Sequence, residues 1–243
     1  MIPGVTITSL YGIIGILVAI PIAVILHEAS HAFAGILKAY EPESTGVIAI
    51  GPFIVAYVAF EDEENIDAQI ASAGFVTNYL LGISFLVLLR VLVYLLAPYS
   101  SGVLITSGPK EIVGKVVIAV NGHTVKNVKE FLEVRNSIPS GSKVTLTFSD
   151  GSSYTLIKGS VRLGITNRYF SGILAIIVVT LLAIVFRSFV INLSLGIINA
   201  LPIIGLDGSK VLYHYLKEKP YALPIIIGLT IYSIIAIYIA LVP

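Results

Sequence analysis

Long apolar runs with few charged residues dominate the pattern of hydrophobic and polar positions along the chain. The first run extends from about Tyr11 to Leu37, and the second from about Ala68 to Ala97. A third apolar region, from Ser171 to about Leu216, is interrupted by polar residues, and the last run extends from Tyr221 to Val242. Because a helix of about 20 apolar residues spans a bilayer, the pattern predicts about four transmembrane helices. The third region allows one long, broken passage from Ser171 to Asn199 or two passages split at Arg187, and only the single passage leaves Asp207 on the same side of the membrane as the end of the first run.

A shorter apolar segment, Gly46 to Phe60, lies between the first two runs. It is rich in β-forming residues around a Gly51-Pro52 break and is too short to cross a membrane as a helix. We expect a membrane-associated β-hairpin or re-entrant strand pair, whose backbone polar groups are satisfied by protein or water. The alternative is an amphiphilic loop that lies on the bilayer surface.

Basic residues and turn signals become frequent from about Ser101 to Leu163. Val116–Val120 precedes an Asn-Gly turn and Lys143–Phe148 precedes an Asp-Gly turn, which is the pattern of strands followed by turns. With a short helix from Phe131 to Ile138, the segment is expected to form a small, water-exposed α+β insert. The predicted organisation is an N-terminal membrane half (1–100), the insert (101–163) and a C-terminal membrane half (164–243).

The composition supports a lipid-facing surface. Hydrophobic residues make up 56% of the chain and charged residues 12%, and the mean hydropathy is +0.96, whereas a soluble domain carries about a quarter charged residues. We therefore predict an α-helical polytopic membrane protein in contact with the lipid bilayer. The net charge of +1 gives no reason to expect nucleic acid as a partner. The chain has no cysteine, so any metal ion must be held by His, Asp or Glu.

The first apolar run contains the HExxH pattern, His27-Glu28-Ala29-Ser30-His31. Residues four apart on a helix project from one face, so the two imidazoles can hold one Zn²⁺ with Glu28 beside them. The alternative is a pair of satisfied or surface histidines next to a glutamate. That alternative must explain three ionisable groups inside a span, where each costs about 2.5 kcal/mol or more unless it faces a polar interior. We therefore favour a metal site.

A catalytic zinc site needs a third protein ligand. His123 belongs to the insert, His214 lies near a basic helix end, and the acids from Glu41 to Asp67 flank the hairpin. Asp207 is the acid that lies inside an apolar region after the first span, next to a Pro- and Gly-rich break. Its alternative role is that of a helix N-cap, which is compatible with metal ligation.

Two motifs together resemble the site-2 protease family of intramembrane zinc metalloproteases. They are the HExxH of the first span and Asn199-x-x-Pro202-x-x-x-x-Asp207-Gly208 of a later one. Ala73–Asn78 on the second span resembles a further motif of that family, and the 46–60 segment resembles its membrane-associated β-structure. The insert resembles a PDZ domain, most clearly at Val117–Gly122, although a short Ser107–Lys115 connection favours a reduced or absent peptide groove.

The resemblance implies that His27, His31 and Asp207 ligate one zinc ion, and that Glu28 acts as general base and then as general acid. It further implies a protease that hydrolyses peptide bonds in a transmembrane segment of another membrane protein, in regulated intramembrane proteolysis. Asn78 and Asn199 are candidates for hydrogen bonds to the substrate backbone or to the developing oxyanion. Helix–helix contact is the alternative for both asparagines.

The distribution of lysines indicates an orientation in the membrane. Lys38, Lys210, Lys217 and Lys219 fall on one side, which the positive-inside rule makes the inner side. The PDZ-like insert is then extracytoplasmic, and the compact architecture suggests a multi-pass protein of a prokaryotic cell membrane. Two other classes of function compete with proteolysis: a metal or proton transporter that uses the buried His, Glu and Asp as a transit site, and a non-catalytic membrane scaffold.

Overall fold

A computed structural model describes residues 10–50, 53–61, 66–170 and 172–241. The helices and strands in chain order are α1 (Leu10–Leu37), β1 (Pro42–Ile50), β2 (Phe53–Phe60), α2 (Ala68–Leu96), β3 (Ser100–Ser107), β4 (Val116–Val120), β5 (His123–Thr124), α3 (Val128–Ser137), β6 (Lys143–Phe148), β7 (Ser153–Ile157), β8 (Gly164–Tyr169), α4 (Gly172–Ala200), α5 (Asp207–Leu216) and α6 (Ala222–Leu241).

Four helices, α1, α2, α4 and α6, are long and apolar enough to cross a membrane. The bounds of α1, α2 and α6 agree with their apolar runs to within a few residues. α4 corresponds to the predicted single passage from Ser171 to Asn199, but it is continuous, so the predicted break is wrong. Many of their large apolar side chains are exposed, as expected of surfaces that face lipid rather than a protein core. The prediction of four candidate membrane spans is therefore confirmed for the described residues.

The chain divides into two compact units, Met1–Leu17 with Val87–Arg187 and Val18–Leu86 with Ser188–Pro243. The first unit contains a six-stranded antiparallel sheet in the order β7-β6-β4-β3-β8, with β5 paired to β4. One face of this sheet, together with α3, encloses an apolar core. Its most deeply buried members include Val103, Ile105, Val117, Val120, Phe131, Leu146 and Phe148.

The insert is longer than the sequence indicated. Its two expected strands form as β4 and β6, but the sheet also includes β8, which the sequence assigned to the C-terminal membrane half. β8 pairs with β3, a partner some sixty residues away, so no local pattern marks it as a strand of this sheet. The short helix begins at Val128 rather than Phe131 because the side chain of Asn127 accepts a hydrogen bond from the backbone N–H of Glu130.

In the second unit, β1 and β2 form an antiparallel two-stranded hairpin. Its register pairs Gly46 with Tyr57 and Val47 with Ala56, and its first strand begins at Pro42, four residues before the predicted segment. Tyr57 packs over Gly46, where an added Cβ would lie 3.1 Å from the tyrosine ring. The Gly51-Pro52 break that the sequence singled out lies outside the described residues.

Close approaches position the helices of the second unit. A Cβ added at Gly82 of α2 would lie 3.2 Å from the backbone nitrogen of Leu193 on α4, and small residues of this kind let membrane helices pack closely. At the start of α2, Asp67 accepts a hydrogen bond from the backbone of Gln69 at 2.7 Å. Its other oxygen lies 2.7 Å from Nζ of Lys38, and this ion pair lowers the pKa of the Asp67 carboxyl.

Candidate metal centre

The second unit brings together the two histidines of α1 and the aspartate that begins α5. His27 and His31 are one helical turn apart and only 7% and 8% exposed, and their Nε2 atoms lie 3.3 Å from each other. Oδ2 of Asp207 lies 3.1 Å from Nε2 of His27 and 3.3 Å from Nε2 of His31. Within the described ranges of the chain, these residues form the one group of three metal-ligand side chains.

The three ligand atoms fit a tetrahedral ion. A zinc ion with bonds of about 2.0–2.1 Å keeps its ligand atoms about 3.3 Å apart, and the observed separations are 3.1, 3.3 and 3.3 Å. Oδ2 of Asp207 is buried against the two imidazole nitrogens, and burial of a carboxylate is costly unless a cation accompanies it. The nitrogen and oxygen donor set suits Zn²⁺.

The ring of His31 is oriented by a backbone carbonyl of α2. Nδ1 of His31 lies 2.8 Å from the carbonyl oxygen of Ile70, so Nδ1 carries the proton and donates it to that oxygen. The lone pair of the ring is then on Nε2, which faces Asp207. An outer partner of this kind fixes the tautomer that a metal ligand needs.

Gly74, one turn further along α2, allows the helix to approach both imidazoles. A Cβ added there would lie 2.6 Å from Nε2 of His27 and would also collide with Nε2 of His31. Any larger residue would therefore occupy the space at the two ligand atoms. Asn78 follows after another turn, and its amide nitrogen lies 3.2 Å from Nδ1 of His27.

A tight return between α4 and α5 brings Asp207 to the histidines. Gly205 has a φ of +94°, a conformation that glycine adopts easily, and Gly208 packs directly against the backbone of Ala200 at the end of α4. The N-cap of α5 is Leu206, and no side chain caps the helix. The alternative role of Asp207 as an N-cap is therefore wrong, because Asp207 is the first residue of the helix and its carboxylate faces the histidines.

A cavity of about 410 Å³ opens onto these three side chains. Glu28, half-buried and adjacent in sequence to His27, lines it, and so does Asn199 near the end of α4. Lys210, one turn after Asp207 on α5, contributes a positive charge. Strand β2 forms part of the wall, so the cavity has one polar side and one apolar, extended side. The β2 residues that line it are Ala56, Tyr57, Val58 and Phe60.

The other candidate residues of the sequence lie in different surroundings. Asn78 is fully buried behind His27 and does not line the cavity. His214 is held by the carbonyl oxygen of Ile66 at 3.2 Å, and His123 is exposed on β5 of the other unit. The contributions of Ile70 and Gly74 were not predicted. The sequence did offer one signal for Gly74, namely a glycine one helical turn before the candidate residue Asn78. No sequence signal marks a backbone carbonyl group such as that of Ile70.

A buried His-His-Asp group beside a glutamate, in a chain whose helices can cross a membrane, is the arrangement of a membrane metallopeptidase. The sequence model of peptidase family M50 matches residues 15–238. The chain therefore belongs to that family, the site-2 protease family, and is an integral membrane metallopeptidase. A search of curated proteins found no significant match to the chain.

Proposed function

We propose that this protein is a zinc endopeptidase of the site-2 type, which cleaves peptide bonds in transmembrane segments of other membrane proteins. The observation that carries the proposal is the convergence of His27, His31 and Asp207 to within 3.3 Å of one another at a cavity that Glu28 also lines. Such cleavage would serve regulated intramembrane proteolysis. The lipid bilayer and a substrate helix are then the two partners of the protein.

The proposed ligands of the zinc ion are His27, His31 and Asp207. A zinc ion, when bound there, would supply a Lewis acid that activates water and polarises the scissile carbonyl group. Two imidazoles and one carboxylate would be a set of three protein ligands, which is typical of catalytic rather than structural zinc sites.

Glu28 is the proposed proton carrier. It directly follows His27 in α1 and lines the same cavity, so a water molecule that attacks a bound peptide can pass its proton to this carboxylate. Glu28 then delivers the proton to the amine that leaves. Asn199 lines the cavity as well, and its amide can donate a hydrogen bond to the substrate backbone or to the developing oxyanion.

Strand β2 is the proposed holder of the substrate. A helical substrate hides its amide groups in its own hydrogen bonds, so the segment to be cleaved must become extended. In the described part of the chain, β2 pairs with β1 alone, and four of its residues line the cavity. Its free edge can therefore pair with an extended substrate by β-addition.

The test combines metal content with cleavage of a membrane-helix reporter by the purified full-length protein. We expect Glu28→Gln to retain about one zinc ion per chain and to lose cleavage, because the proton carrier is lost while the ligands remain. Asp207→Asn should lose both zinc and cleavage. Glu133→Gln, the same change at an exposed position of α3, is the matched control and should leave both unchanged.

Two results would contradict the proposal. Retained proteolysis in Glu28→Gln would exclude Glu28 as the proton carrier. Metal or proton flux across liposomes by the wild-type protein, without cleavage of the reporter, would favour a transporter that uses the same three ligands.

A further inference from the structure

We propose that Asn78 is a positioning residue for the metal site. Its amide oxygen accepts the Nδ1–H of His27 and thereby keeps the Nε2 lone pair of that histidine directed at the metal ion. This inference rests on the proposed function and deepens it, because it assigns the buried asparagine to the metal ligands and not to the substrate.

The surroundings of Asn78 place it behind His27 and away from the substrate cavity. Asn78 is 0% exposed, and its amide nitrogen lies 3.2 Å from Nδ1 of His27. The cavity is lined by both histidines and by Asn199, but not by Asn78. A substrate oxyanion would therefore meet Asn199, whereas Asn78 meets the rear of the imidazole.

The two orientations of the amide select different tautomers of His27. With the amide nitrogen facing it, Nδ1 must accept a hydrogen bond, and the ring proton then lies on Nε2, which faces Asp207 at 3.1 Å. A half-turn of the amide presents Oδ1 instead. Nδ1 then keeps the proton as a donor, and Nε2 becomes an unprotonated ligand.

Oδ1 of Asn78 is buried and has no hydrogen-bond partner in the described structure. A buried acceptor without a donor is costly, and the half-turn gives it one, the Nδ1–H of His27. The binding of a metal ion at Nε2 requires the same half-turn. The half-turn also moves the amide nitrogen to the former position of Oδ1, so it pairs one end of the amide in place of the other, and metal binding at Nε2 is what selects the orientation with Oδ1 facing His27.

α2 thus supports both histidines from one face, at positions one turn apart. The carbonyl of Ile70 orients His31, the missing side chain of Gly74 leaves room for both rings, and Asn78 orients His27. The first support is a fixed backbone acceptor. The last is a side chain, so it can be tested by substitution.

The experiment measures the affinity for Zn²⁺ by competition with a chelator and the absorption spectrum of the Co²⁺-loaded protein. Asn78→Leu fills the same space without an acceptor, and we expect it to weaken metal affinity about 10- to 100-fold. Asn78→Asp keeps an acceptor and, when ionised, cannot donate, and we expect it to retain metal affinity, the Co²⁺ spectrum and cleavage. The matched control is Asn192→Leu, since Asn192 is equally buried but donates only to the carbonyl of Ser188 on its own helix.

Wild-type metal affinity in Asn78→Leu would overturn the proposal. Loss of cleavage in Asn78→Asp with unchanged metal affinity would overturn it as well, because that result is expected if Asn78 donates a hydrogen bond to the oxyanion. If Asn78→Leu does not fold, Asn78→Asp decides, because a loss of affinity of about tenfold or more in that variant contradicts an acceptor role. All affinities are also measured in the Glu28→Gln background. A wild-type protein that binds metal but never cleaves would therefore refute the proposed function and leave the role of Asn78 standing.

Discussion

At the scale of single residues, the site consists of polar groups whose burial in a membrane has a high free-energy cost unless each has a polar or charged partner. Two imidazoles and a carboxylate share one small volume, and Oδ2 of Asp207 is buried against both Nε2 atoms. Removing a carboxylate from water costs several kcal/mol unless a partner compensates it. A divalent cation bound between the three side chains supplies that compensation and would also hold α1 and α5 together. The stability of this region should therefore depend on the metal ion.

The sequence revealed the polar residues of this site, but it did not reveal what surrounds them. The spacing of His27 and His31 has a direct helical meaning, and the burial of Asp207 follows from the apolar residues on both sides of it. The support from α2 depends instead on a contact between segments some forty residues apart. A carbonyl oxygen such as that of Ile70 is present at every position of every chain, so only the fold identifies it.

Gly74→Ala tests this support at a single residue. The added methyl group would lie 2.6 Å from Nε2 of His27 and against Nε2 of His31, so α2 or both rings must shift. We expect metal affinity to fall at least about tenfold, comparable to the loss of an outer-shell partner. Zinc binding by the purified variant is the measurement.

The matched control for this change is Gly228→Ala on α6. Apart from its chain neighbours and the adjacent backbone of α6, no atom of the described residues lies within 4 Å of the position where its Cβ would stand, so this variant should bind zinc as the wild type does. Equal zinc affinity in Gly74→Ala and Gly228→Ala would show that α2 does not determine the geometry of the site.

At the scale of elements, the pattern of apolar residues was sufficient to predict the long helices but not the extent of the strands or their pairing. The bounds of α1, α2 and α6 and the start of α4 follow from apolar length alone, which is a local property of the sequence. Strand β8 belongs to the sheet because β3 is available to pair with it, and β1 begins earlier than expected because Pro42 pairs with Phe60. Pairing of this kind is a property of two segments, and neither segment encodes it alone.

Proline substitutions in β2 test whether this strand holds the substrate. The N–H groups of successive residues in a strand point to opposite edges. Of the two variants Ala56→Pro and Tyr57→Pro, one therefore removes an N–H group on the free edge of β2, and the other removes an N–H group that faces β1. We expect the free-edge variant to raise the KM for a membrane-helix reporter while its zinc content stays unchanged, because the ligands come from α1 and α5. KM and zinc content are measured in parallel.

Ser153→Pro, in the edge strand β7 of the insert, provides the control for proline in an exposed strand. It should leave the KM for the reporter unchanged. If both the Ala56→Pro and the Tyr57→Pro variant cleave the reporter with wild-type kinetics, β2 does not hold the substrate by its edge.

At the scale of the whole molecule, the number of crossings determines which loops share a side of the membrane. Each crossing helix changes the side, and α4 is one unbroken helix from Gly172 to Ala200. The connection between α1 and α2 and the connection between α4 and α6 should then lie on one side, with the insert on the other. Lys38 belongs to the first connection, and Lys210, Lys217 and Lys219 to the second. By the positive-inside rule we propose that this lysine-bearing side is cytoplasmic.

Single cysteines test this arrangement without a background signal, since the chain contains no cysteine. Ser140 of the insert and Lys219 before α6 are both exposed, and α4 is the one candidate span between them. In intact cells, a membrane-impermeant maleimide should label Ser140→Cys at once and Lys219→Cys only after permeabilisation. Glu61→Cys, separated from Lys219 by α2 and α4, should behave as Lys219→Cys does. Labelling of Ser140→Cys and Lys219→Cys from the same side would mean that α4 does not cross once. A chain with that topology would bring Asp207 to the membrane face opposite His31, so the result would also remove the metal site on which the proposed proteolysis depends.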